Sequence, residues 1–115
     1  MRRLDRVSTL NESEKKLLRD LKGVIARFVP DAQVILYGSA ARGEREPESD
    51  YDVLVLSGRK LSSKEDELMD SAIYDLQLNR GVVLSVMFYS ETEWKNPIVR
   101  QSPYYDNVTS EGVLV

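Results

Sequence analysis

The chain predicts an α/β (α+β) fold, a mixed β-sheet flanked by helices. Three observations carry that expectation. Segments of helical apolar period alternate with short β-branched runs in the order α-β-β-α-β-α. The run 51–57, "YDVLVLS", is apolar nearly throughout after Asp52, as a central strand covered on both faces would be. Only about a dozen residues join the first two strands, enough for a helical turn and a loop but barely for a crossover helix. At 115 residues, one domain spanning 1–115 is expected.

Residues 12–28 read as the first helix. Leu17, Leu18, Leu21, Val24, Ile25 and Phe28 share one face, Asn11 and Glu14 form a capping pair, and Pro30 stops the run. "AQVILY" (32–37) is a strand by length and flanks, ending at Gly38. The polar loop 43–49 follows, broken by Gly43 and Pro47, and leads into the strand 51–57. Residues 62–79 read as the second helix, with a capping box at Ser62 and Glu65, a stop at Gly81, and Leu68, Ala72, Ile73 and Leu76 on one face. "VVLSVMFYS" (82–90) is the third strand. The tail predicts a short helix at 91–95, a turn near Pro97, another helical turn at 103–110, and "GVLV" as a small edge strand.

Composition narrows the chemistry. With 42% hydrophobic and 30% charged residues, the balance is that of a soluble globular chain. No apolar run approaches the ~20 residues that span a bilayer. The N-terminus has basic residues without a following apolar core, so no signal peptide is expected and a cytoplasmic location fits. Arg2, Arg3 and Arg6 are expected to lie on a solvated, frayed end. There is no cysteine, which excludes disulfides and thiolate metal sites, and no histidine, which removes the commonest general base. Catalysis would run on carboxylates, hydroxyls, Lys, Arg, backbone dipoles or a bound metal. The net charge of −3 argues against tight binding to duplex nucleic acid. A homo-oligomer is left open.

The stretch "YGSAARGEREPESDYDVLVL" (37–56) concentrates the chemistry. Asp50 and Asp52, two apart at a strand entrance, would project side by side with Cα atoms roughly 6–7 Å apart. Their repulsion near a core is relieved by a divalent cation, and Mg²⁺ takes one or two carboxylates plus phosphates and waters. Gly38 and Ser39 follow a strand and precede "AAR", which can form a helical turn. Backbone N–H groups there, with the Ser39 hydroxyl and Arg42, would make a phosphate cradle. Gly43 would give the turn a left-handed exit. Taken singly, each feature reads as a turn, a strand entrance or a solvated arginine. Together, in order and at strand ends, they favour a site for Mg²⁺ and a nucleoside triphosphate.

Gly38-Ser39, ten intervening residues and Asp50-Tyr51-Asp52 together resemble the signature of the polymerase-beta-type nucleotidyltransferase superfamily. Ala41-Arg42-Gly43 and Ser49-Asp50 resemble the minimal nucleotidyltransferases in particular, and the likeness covers roughly the whole chain. The resemblance implies the nucleotidyltransferase fold, one or two Mg²⁺ ions, and ATP or another nucleoside triphosphate as substrate. It implies transfer of a nucleoside monophosphate to a hydroxyl with release of pyrophosphate. Many such proteins are antitoxins paired with a helical HEPN-type ribonuclease toxin, and some transfer AMP to a tyrosine of that toxin. By the same resemblance Asp50 and Asp52 hold metal and are catalytic, while Gly38, Ser39 and Arg42 bind phosphate.

The superfamily usually has a third acid on a later strand. "GVVLSVMFYSE" has none until Glu91, past the strand's end, and Ser85 stands where the acid is expected. A neutral hydroxyl replaces neither a base nor a strong Mg²⁺ ligand. Asp75 and Glu67 are expected to be solvated. Two functions therefore compete: a nucleotidyltransferase, and a module that neutralises a helical partner by binding. Tyr104, Tyr105, Ile98 and Val99 would either meet such a partner or pack the tail onto the sheet.

Overall fold

A computed structural model describes all of Met1–Val115. Its centre is a five-stranded sheet in the order β1-β5-β2-β3-β4. The strands are β1 (Arg2–Arg3), β2 (Gln33–Tyr37), β3 (Tyr51–Ser57), β4 (Leu84–Ser90) and β5 (Val113–Leu114). The helices are α1 (Glu12–Ala26), α2 (Gly38–Arg42), α3 (Ser63–Arg80), α4 (Glu91–Trp94), α5 (Pro97–Arg100) and α6 (Pro103–Glu111). β2 and β3 are antiparallel, and β3 and β4 are parallel through the crossover α3. The sheet is mixed, as predicted. No helix is long and apolar enough to cross a membrane.

Alternation along the strands assigns the two faces. Val34, Leu36, Val53 and Val55 pack with Leu17, Leu18, Leu21 and Ile25 of α1 and with Met69 and Ile73 of α3. Ile35, Leu54 and Leu56 point the other way, to Val108 of α6 and to Tyr37, Tyr89, Trp94 and Tyr104. β3 is buried on both sides, which explains its unbroken apolar run.

The local signals hold where the chemistry is local. Asn11 Oδ1 accepts from the Glu14 N–H at 2.8 Å, and Glu14 Oε1 accepts from the Asn11 N–H at 3.1 Å. Ser62 and Glu65 form the same reciprocal box at the start of α3, and Gly81 closes that helix. The Arg59 hydrogen bond, then the Ser62 backbone N–H, hold the Glu65 carboxyl down at about 2. Replacing Ser62 by Ala leaves the Glu65 N–H without its acceptor. The expected cost is about 1 kcal/mol, read as a lower urea midpoint at unchanged slope.

Four expectations are corrected. The first helix ends at Ala26, because the chain turns back through Val29 before Pro30. Leu68 is 47% exposed, and Met69 takes its place with Ile73 against the sheet. β5 is not an edge: it lies between β2, antiparallel, and β1, parallel. Arg2 is not frayed: its Nη2 donates to the Ala41 carbonyl at 2.8 Å and to the Glu111 carbonyl at 2.9 Å. Tyr104 and Tyr105 pack in an aromatic group with Trp94, while Ile98 is exposed.

Candidate functional site

β2 ends at Tyr37, and α2 begins at once with Gly38. The chain makes that turn with Gly38 at φ +76°, in the left-handed region where a Cβ is crowded. The Gly38 N–H then points outward as a helix-start donor with no partner inside its own helix. α2 lasts five residues and closes at Gly43, φ +74°, whose N–H returns to the carbonyls of Ala40 and Ser39. Ala40 and Ala41 are buried, which fixes the turn, and Arg42 faces solvent. Ser39, half-buried, lies at the same start.

β3 enters antiparallel beside this turn, with Tyr37 opposite Asp52. Asp52 therefore lies on the α6 face of the sheet. Its carboxylate sits directly against Gly38: a Cβ placed on Gly38 would meet Asp52 Oδ2 and lie 3.2 Å from Cγ. The strand starts at Tyr51, as the sequence predicts, so Asp50 stands just outside it and is exposed. Its charge still reaches Asp52. Burial first, then Asp50, raises the Asp52 pKa; Arg42 lowers it and Glu111 raises it.

Tyr51 points to the opposite face, which is why one residue separates the two aspartates. Its hydroxyl donates to Glu14 Oε2 at 3.0 Å, and the Arg45 guanidinium lies 4.2 Å above its ring. Burial, then Glu14, pushes the Tyr51 phenol up to about 12, so it stays protonated and pins β3 to α1. Tyr37 and Tyr104 wall the other side of Asp52, their rings edge to face at 5.3 Å. Burial raises the pKa of both phenols. The Tyr104 hydroxyl is buried without a hydrogen-bond partner.

The parallel register puts Ser85 directly opposite Asp52, on the same face. Two residues on, Met87 is 44% exposed, so this shelf of β4 is open. Glu91 starts α4 beyond the far end of β4, six residues from Ser85, or roughly 20 Å of extended strand. It does not reach the site. Asp75 and Glu67 are exposed on α3. No group of three or more carboxylates converges as a metal cage, so Asp50 and Asp52 stand as a pair.

One participant is not legible in the sequence. Glu111, the last residue of α6, places Oε2 3.0 Å from the Gly38 N–H and 2.7 Å from Arg42 Nη1. Arg42 Nε also donates to Glu44 Oε2 at 3.0 Å. The Gly38 N–H and Arg42 meet at one point, and the oxygen between them is the chain's own. Arg42 and Glu111 are 69 residues apart, and no local spacing announces their contact.

The geometry is a short helical turn offering anion donors, set against a partly buried Asp-X-Asp. The family described as "Nucleotidyltransferase domain" matches residues 18–112. A protein of Methanocaldococcus jannaschii named "Putative protein adenylyltransferase" is 28% identical over 102 residues, covering 87% of this chain and 96% of that protein. With the family match spanning both the Gly38 turn and the β3 aspartates, the chain belongs to the nucleotidyltransferase domain family, a family of transferases.

Proposed function

We propose that this domain transfers AMP from ATP to a hydroxyl in a Mg²⁺-dependent reaction. The observation that carries the reading is the contact of Asp52 with Gly38, which sets a metal-type carboxylate against the start of an anion cradle. Two like-charged carboxylates, one with a raised pKa, form the all-oxygen donor pair that a hard divalent cation relieves. Asp50 and Asp52 would hold it. Bound there, Mg²⁺ would supply Lewis-acid stabilisation for the charge on the phosphoryl oxygens.

The protein's own groups do the positioning. The Gly38 N–H, the Ser39 hydroxyl and Arg42 take the β- and γ-phosphates. Tyr37 and Tyr104 exclude water from one side of Asp52 and so strengthen its charge interactions. In the transfer, a bond forms from the acceptor oxygen to Pα, and the bond from Pα to the bridging oxygen breaks. Pyrophosphate leaves. The acceptor proton passes to solvent, because Ser85 offers no carboxylate opposite Asp52. Turnover is accordingly slow.

The acceptor in this reading is a tyrosine of a partner protein, a helical HEPN-type toxin, and the domain serves as its cytoplasmic antitoxin. The name of the archaeal relative, a protein adenylyltransferase, supports a protein acceptor. The resemblance of the Gly-Ser and Asp-Tyr-Asp motifs to minimal nucleotidyltransferases supports the pairing. Ser85 favours one second reading: a module that binds nucleotide and neutralises the partner without chemistry. Incubation with α-phosphate-labelled ATP, Mg²⁺ and the product of the neighbouring gene separates the two. Label on a partner tyrosine that requires Mg²⁺ supports transfer. A stable complex that never takes label supports binding alone.

A further inference from the structure

Glu111 is an anion already seated where the proposed phosphate would go. Its side chain is only 15% exposed, and one oxygen accepts from both a backbone N–H and a guanidinium. A carboxylate oxygen and a phosphate oxygen present the same acceptor to such donors. They cannot both occupy it. The backbone beneath Glu111 is held separately, by Arg2 on the Ala41 and Glu111 carbonyls. The side chain can therefore leave the cradle while α6 stays docked on α2.

We propose that Glu111 is a specificity-determining residue, an internal anion that a nucleoside triphosphate must displace to bind. The proposal rests on the reading of Gly38 and Arg42 as phosphate donors. Two consequences follow for the ligand. A single phosphate exchanges one anion for another in the cradle and gains little. A triphosphate arriving with its cation also engages Asp50 and Asp52, which Glu111 does not replace, and so has surplus free energy to expel the carboxylate. The cradle then discriminates for Mg²⁺–triphosphate against lone phosphate. Return of Glu111 to Gly38 and Arg42 would also hasten the departure of pyrophosphate.

The test is calorimetry on the full chain with Mg²⁺–ATP, Mg²⁺–tripolyphosphate and inorganic phosphate. Glu111→Gln keeps the size and removes the charge; Glu111→Ala empties the position. Both are expected to bind Mg²⁺–ATP and Mg²⁺–tripolyphosphate about tenfold more tightly than the wild type, the scale of one lost charge-assisted competitor. Both are expected to gain affinity for inorganic phosphate. Tighter binding in both variants, or binding seen only in them, supports the displacement. Unchanged or weaker binding in the variants, with the wild type still binding, overturns it and leaves the triphosphate reading standing. No binding by any of the three proteins overturns both. A second readout needs no variant. The Glu111 side-chain carboxyl ¹³C resonance of the wild type, whose oxygen holds the Gly38 N–H and Arg42 Nη1, is expected to shift when Mg²⁺–ATP saturates the site, and an unmoved resonance at saturation overturns the displacement.

Discussion

Asp52→Asn is expected to remove nucleotidyl transfer while making the metal-free fold more stable. Asp52 is the carboxylate that lies against Gly38, half-buried beside Tyr37 and Tyr104. The amide keeps the shape but takes away the charge that would hold a cation against the phosphates. Transfer is expected to fall on the order of 10³-fold, comparable to deleting a principal electrostatic stabiliser of a transition state. The stability effect runs the other way. Burial and Asp50 raise the Asp52 pKa in the folded state above its ordinary value near 3.8. A carboxylate raised in this way favours folding most at low pH. That contribution is present below the unfolded pKa and is lost as pH rises through the folded one. Metal-free wild type should therefore lose stability over that interval, Asp52→Asn should lose less, and added Mg²⁺ should restore the wild type only. Melting curves across pH, with and without Mg²⁺, check the sign. A variant that is inactive and also less stable would mean that Asp52 serves the fold rather than the site.

The fold was legible wherever a few neighbouring residues decide an element. Asn11 with Glu14, and Ser62 with Glu65, announce helix starts because the reciprocal bonds lie within one turn. β3 is legible because burial on both faces writes an unbroken apolar run. Leu68 was misplaced because Leu68 and Met69 are adjacent and both apolar, and only the sheet's position chooses between them. β5 and β1 are two residues each, with no periodicity to read, and their pairing spans the whole chain. The site divides the same way. Gly38, Ser39, Arg42 and Asp52 are close in sequence and fall together in space. Asp50 lies just outside the ladder, since β3 begins at Tyr51, as the sequence predicts. Ser85 stands out in the sequence only because the family resemblance implies an acid there, and the parallel register sets it opposite Asp52. Glu111 was not anticipated, because only the docking of α6 on α2 brings it to the cradle. Whatever enters that cradle from outside must contend with a carboxylate the motif does not contain.

Gly38→Ala is expected to damage both fold and activity, through two separable costs. The first is conformational: a residue with a Cβ at φ +76° pays roughly 1–2 kcal/mol for the left-handed region. The second is steric. The new Cβ would meet Asp52 Oδ2 and crowd its Cγ at 3.2 Å and its Cβ at 3.3 Å. Asp52 cannot retreat toward Tyr37, which stands opposite it in the ladder, so the carboxylate must rotate away from the cradle. Together the two costs should lower stability by about 2–3 kcal/mol, seen as a reduced urea midpoint at unchanged slope. A carboxylate displaced by about 1 Å should cost transfer on the order of 10²-fold. A double-mutant cycle with Asp52→Ala isolates the steric part. Removing the carboxylate relieves the clash with Oδ2 and Cγ but leaves the backbone strain. The double variant should therefore be more stable than the sum of the single changes by about 1 kcal/mol. Strict additivity would show that the two residues do not press on each other. A Gly38→Ala protein as stable as wild type would remove the strain as well, and with it the reason for glycine at the start of the cradle.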